Sequence, residues 1–94
     1  MPFVYILLST QSDTYYVGST TDLEQRIELH LSKEFKNSFT TKNDDWELYY
    51  SIEIGEMSVA RRIESHIKKM KSRQYIENLK RYPEIADKLI LKYG

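Results

Sequence analysis

The chain's 94 residues, 40% hydrophobic and 30% charged, suffice for one domain with a modest core and are too apolar for a disordered segment. Cysteine is absent, which excludes a disulfide framework and thiolate metal sites and fits a reducing cytoplasm, the expected compartment. The formal net charge is zero, yet residues 1–59 carry 4 Lys/Arg against 10 Asp/Glu, while residues 60–81 carry 8 against 2.

The basic block suits either the solvated face of a helix or a surface for a polyanion. The acidic first half argues against a protein that coats nucleic acid broadly. No apolar run is long enough to span a membrane. The opening MPFVYILL lacks the basic flank and small-residue cleavage site of a signal peptide.

Taken in order, Phe3 to Leu8 is apolar on both alternating faces, as a central strand covered on both sides would be. Polar Ser9 to Asp13 reads as a hairpin loop and Thr14 to Ser19 as the returning strand. An even loop length places Tyr5 and Tyr16 on one face. Gly18 reads as the end of that strand, where the backbone turns sharply or comes close to a ligand. Thr21-Asp22-Leu23-Glu24 fits a capping box that opens a helix over residues 21–33, with Leu23, Ile27 and Leu31 on its buried face. Arg26 and His30 are one turn apart and share a side of this helix. A tyrosine, a glycine, an arginine and a histidine thus gather in a short stretch, which suits either packing or a phosphate site.

Residues 34–45 are polar and are expected to form a mobile loop beside that cluster, anchored by Phe35 and Phe39. Trp46 to Ile54 reads as a third strand with partial alternation, ended by Gly55. A second helix is expected from Ser58, its N-cap, to Ser72. Val59, Ala60, Ile63, Ile67 and Met70 form its apolar stripe. Glu64 lies at the edge of the stripe, half buried and in need of a partner. Tyr75 to Lys80 reads as a short helix. Pro83 opens a last one over residues 83–92, with Ile85, Ala86, Leu89 and Ile90 inward. The expected class is α+β: a small, mostly antiparallel three-stranded sheet flanked by helices.

This pattern resembles the GIY-YIG endonuclease family. Phe3-Val4-Tyr5 matches the first signature and Tyr16-Val17-Gly18 the second. Arg26 follows at the spacing of the family's helix arginine, and His30 stands where many members carry histidine. Ala60-Arg61-Arg62-Ile63-Glu64-Ser65-His66-Ile67-Lys68 is similar to the helix whose glutamate binds the metal in that family. The resemblance covers residues 3–80, and the motifs occur in the family's order on the expected elements. Phe3 replaces the glycine of the first signature, and Ser19 stands where DNA-repair members often carry lysine. The chain is similar to the small single-domain bacterial members, with targeting left to a protein partner.

The resemblance implies a metal-dependent DNA endonuclease that hydrolyses phosphodiester bonds in repair or recombination. Glu64 would hold one Mg²⁺ or Mn²⁺, with waters and phosphate oxygens completing the shell. Arg26 would grip the scissile phosphate with its fork. Tyr16 or Tyr5 would orient or deprotonate the attacking water, helped by His30. Arg61, Lys68, Lys69, Lys71 and Arg73, in the basic block, would track the DNA backbone. Each residue also has an ordinary reading. Tyr5 and Tyr16 suit half-buried sheet positions, Arg26 the surface, His30 the core, and Glu64 an ion pair with Lys68 one turn on. Tyr49 and Tyr50 read as one core and one surface residue, and His66 as a surface residue. The same fold also suits a catalytically inactive nucleic-acid-binding module or a small protein-interaction domain.

Overall fold

The computed structural model describes residues 1–10, 12–32 and 46–94. Its strands are β1 (Phe3–Ser9), β2 (Thr14–Thr20) and β3 (Trp46–Glu53). Its helices are α1 (Leu23–Ser32), α2 (Met57–Met70), α3 (Arg73–Arg81) and α4 (Pro83–Tyr93). The sheet order is β2-β1-β3 with both pairings antiparallel, so the fold is α+β and β1 is the central strand, as its apolar run implies. Val4 and Ile6 pack one face against Ile63, Ile67 and Leu79. Tyr5 and Leu7 pack the other face with Trp46, Tyr16, Leu23 and Ile27. Helix α1 thus covers one face, and α2 to α4 cover the other. Each fully buried aliphatic side chain contributes about 1.5–3 kcal/mol, which makes β1 the strand that ties the two layers together.

Ser9 pairs with Thr14, so the hairpin closes around the four residues 10–13. That even number puts Tyr5 and Tyr16 on the same face. Asp13 takes a left-handed backbone conformation (φ 55°), which aspartate tolerates better than most residues. Its carboxylate accepts a two-pronged grip from Arg73, at 2.6 and 2.5 Å, tying the turn to the start of α3.

Several local expectations shift. Strand β2 runs through Gly18 to Thr20, so Gly18 is a strand residue and makes no turn. The longer strand moves the cap of α1 from Thr21 to Asp22. The Asp22 Oδ1 accepts from the Gln25 amide at 3.0 Å, and its own amide donates to Thr20 Oγ1 at 3.1 Å. Helix α2 starts at Met57 on an extended Glu56 with no side-chain cap, which leaves Ser58 inside the first turn. Lys71 ends α2 in the left-handed region, and Met70 is 45% exposed instead of buried with the stripe. Ser72 Oγ then accepts from the Tyr75 amide at 3.1 Å, so α3 begins earlier than apolar spacing suggests.

Strand β3 alternates only in part because it carries a bulge. Ile6 pairs with Tyr50 and Leu7 with Leu48, leaving Tyr49 as the extra residue. Tyr49 and Tyr50 therefore both pack on the α2–α4 side, rather than one inside and one out. His66 is also not a surface residue. It is half buried between the rings of Tyr75 and Tyr93, with Nδ1 2.8 Å from the Tyr93 hydroxyl. The expected loop at 34–45, with Phe35 and Phe39, lies outside the described residues. No helix among the described residues is long and apolar enough to cross a membrane.

Candidate active site

The site forms around β2, an edge strand of the sheet among the described residues. Tyr5 on β1 pairs with Gly18 on β2, and the tyrosine ring lies across the glycine. A Cβ on Gly18 would stand 2.5 Å from the Tyr5 hydroxyl and 2.6 Å from Cζ. Glycine is thus required here by close approach, with an ordinary negative φ. Tyr5 is 2% exposed, and burial pushes its hydroxyl pKa well up; the Tyr16 charge and a hydrogen bond with Tyr16 push the same way. Arg26 pulls it down and Glu64 raises it, so all four side chains lie within electrostatic reach of one point. The two tyrosine rings are 6.4 Å apart, and Tyr16 stays half buried, edge-on to Trp46.

On the opposite face, α2 presents Glu64 to the same edge. Ser19 Oγ donates to Glu64 Oε1 at 2.5 Å. Lys68 Nζ, one helical turn on, donates to Oε2 at 2.6 Å. The Glu64 side chain is 19% exposed and that of Lys68 53%. Arg26 reaches this edge from α1. Ser19, Arg26, Arg61, Glu64 and Lys68 together line a polar cleft of about 420 Å³. The sheet's edge thus joins Arg26 from one flanking layer to Arg61, Glu64 and Lys68 from the other.

Of the residues singled out in the sequence, Arg26 and Glu64 line this cleft, Tyr5 lies within electrostatic reach of both, and Tyr16 adjoins Tyr5 without lining the cleft. His30 follows Arg26 on α1, but its side chain lies outside the described residues. Arg61 and Lys68 line the cleft. Lys69 and Lys71 are exposed beyond it. Arg73 is exposed too, but its fork is taken by Asp13 and its guanidinium sits 5.5 Å from the Tyr15 ring centre. In the sequence Ser19 stands out only as the position where DNA-repair members often carry lysine. Its role as the partner of Glu64 depends on strand register and helix rotation together, and no local pattern announces it.

A family model for the GIY-YIG catalytic domain matches residues 1–79. The chain belongs to the GIY-YIG family. A GIY-YIG relative in Citrobacter koseri, a UPF0213 protein, is 33% identical over 73 residues, covering 78% of this chain and 72% of that one. The UPF0213 protein YhbQ of Escherichia coli is 32% identical over 73 residues, with the same coverage of 78% and 72%. No solved structure matches the chain. The GIY-YIG domain is a nuclease domain, and its nucleases generally use a divalent metal ion.

Among the described residues no group of three or more His, Cys, Asp and Glu converges, which does not suit zinc. Among the described residues Glu64 is the one carboxylate lining the cleft, a donor set compatible with a hard cation that keeps several waters.

Proposed function

We propose that the chain is a metal-dependent DNA endonuclease whose site is the cleft between Arg26 and Glu64. The observation that supports this most is that α1 and α2, on opposite faces of the sheet, deliver a guanidinium and a carboxylate to one cleft at an edge strand. Neither side chain belongs to either core cluster among the described residues, so core packing alone gives no reason for the two to meet. Glu64 would hold Mg²⁺ or Mn²⁺, which when bound supplies Lewis acidity toward a phosphate oxygen. Arg26 grips the scissile phosphate through paired N–H donors and stabilises the charge that grows on it. Tyr16 orients the attacking water. Tyr5 is too buried and too hard to ionise to serve as the base, so it positions Tyr16 through their shared hydrogen bond. His30, one turn after Arg26 on α1, would assist. A cytoplasmic location suits such an enzyme.

One observation favours a silent nucleic-acid-binding module instead: both Glu64 oxygens already have partners within the protein. Incubation with supercoiled, branched and single-stranded DNA separates the readings. Metal-dependent cleavage that EDTA stops supports the enzyme. Salt-sensitive binding without cleavage supports the module. An absence of both leaves a protein-interaction domain.

DNA is expected to run from the cleft across the exposed end of α2. Replacing Lys69 and Lys71 together should weaken binding on all sequences alike and lower the salt slope by up to about two phosphate contacts. Replacing Arg73 should add less, because Asp13 already holds its fork. The slope of log K against log salt checks this. An unchanged slope assigns both lysines to solvation.

A further inference from the structure

Lys68 holds a position that an ordinary helix ion pair does not explain. The pair with Glu64 is only one half of a two-sided grip, since Ser19 holds the other carboxylate oxygen from a different element. The two partners differ in kind. Ser19 is a neutral donor on a strand fixed by its pairing with Val4. Lys68 is a half-exposed, flexible cation, and it lines two clefts at once. One is the polar cleft of Glu64 and Arg26. The other is a groove of about 520 Å³ between β2 and the junction of α2 with α3, bordered by Tyr15, Tyr16, Ile67 and Lys71. Lys68 can therefore leave Glu64 by side-chain rotation without unfolding anything.

We propose that Lys68 is a displaceable counter-ion: it neutralises Glu64 until a divalent cation takes the carboxylate, then turns its ammonium toward substrate phosphate, while Ser19 keeps the carboxylate aimed throughout. This rests on the reading that Glu64 carries the metal. A cation and a divalent ion compete for one carboxylate oxygen, because both draw on the same charge. Ser19 does not compete, because a neutral hydroxyl on Oε1 leaves the charge in place and fixes the rotamer. The two residues touch the same group and are assigned opposite effects on metal affinity. Lys68 is thereby a positioning residue before the ion binds and a phosphate ligand after it.

The test is Mn²⁺ binding to the full chain without DNA, followed by the electron paramagnetic resonance signal of free Mn²⁺ at fixed ionic strength. Removing a half-exposed ion-pair partner is worth a factor of about 1.5–5 in an equilibrium constant. Lys68→Met should thus bind Mn²⁺ tighter by that factor, and Ser19→Ala should bind it more weakly by a similar one. Lys68→Gln, polar and of similar reach, serves as the second version in case the methionine variant folds poorly. With DNA present, Lys68→Met should reach half-maximal cleavage at lower metal but show a raised KM for DNA. Tighter binding in both Lys68 variants with weaker binding in Ser19→Ala supports the proposal. Unchanged or weaker binding in the Lys68 variants overturns it and leaves the metal site standing. A wild-type titration identical to that of Glu64→Gln overturns the metal site and, with it, the role of Lys68.

Discussion

Arg26→Ala is expected to lower DNA cleavage by about 10²–10³-fold while leaving Mn²⁺ binding unchanged. The magnitude is that of losing one preorganised donor to a charge that develops in the transition state. The selectivity follows from position. Arg26 comes from α1 and Glu64 from α2, and the carboxylate's own partners are Ser19 and Lys68. Removing the guanidinium would therefore take away the proposed phosphate grip while Ser19 and Lys68 still hold the carboxylate. Arg26→Lys should recover only part of the rate, because an ammonium replaces a planar fork with a point charge. Single-turnover cleavage together with Mn²⁺ titration checks this. Equal loss of metal binding and cleavage would place Arg26 in the support of Glu64, not on the substrate.

Gly18→Ala is expected to damage both fold and activity. The new Cβ would meet the Tyr5 ring at 2.5 to 3.0 Å, and Tyr5 is buried with no room to retreat. Overpacking of this kind costs about 1–3 kcal/mol. The displaced ring would also lose its place beside Tyr16, so cleavage should fall further than stability alone explains. A double variant isolates the cause. Tyr5→Leu removes the ring that the methyl strikes, so Tyr5→Leu with Gly18→Ala should be more stable than the sum of the single effects by about 0.5–3 kcal/mol. Chemical denaturation of the four proteins gives that number. Additivity would mean that the glycine answers to something other than Tyr5.

The central strand and the hairpin were legible because their signals are local. Phe3 to Leu8 is apolar without interruption and Ser9 to Asp13 is polar, but that Ser9 joins the strand, leaving the even loop that puts Tyr5 and Tyr16 on one face, is seen only in the pairing. The candidate site was legible as a set of residue types, Tyr5, Tyr16, Arg26 and Glu64. Its wiring was not. Ser19 meets Glu64 only when strand register and the rotation of α2 are both known, and Lys68 borders two clefts only because α2 lies along an edge strand. The reason for Gly18 was hidden for the same cause, since its neighbour in space is a side chain on β1. The cap of α1 lies one residue beyond Thr21, the position that the capping-box pattern implies. Asp22 takes the cap because β2 extends to Thr20, whose Oγ1 accepts from the Asp22 amide and sets the turn into the helix. The bulge at Tyr49 defeats any reading based on strict alternation. Asp13 and Arg73 are far apart in sequence, and only the fold makes them a pair that draws Arg73 out of the free basic surface.

The central claim is that Glu64 makes this cleft a hydrolytic site. Its most direct test is the cleavage rate of Glu64→Gln beside the wild type on the same DNA with Mg²⁺. Glutamine keeps the shape and the helix propensity, so the variant should fold. Its amide can still take the Ser19 hydroxyl, and the lost ion pair with half-exposed Lys68 weakens stability by about 1 kcal/mol or less. The account predicts that wild-type cleavage needs the metal and that the folded variant shows none. A folded Glu64→Gln protein that cleaves DNA as fast as the wild type would contradict it.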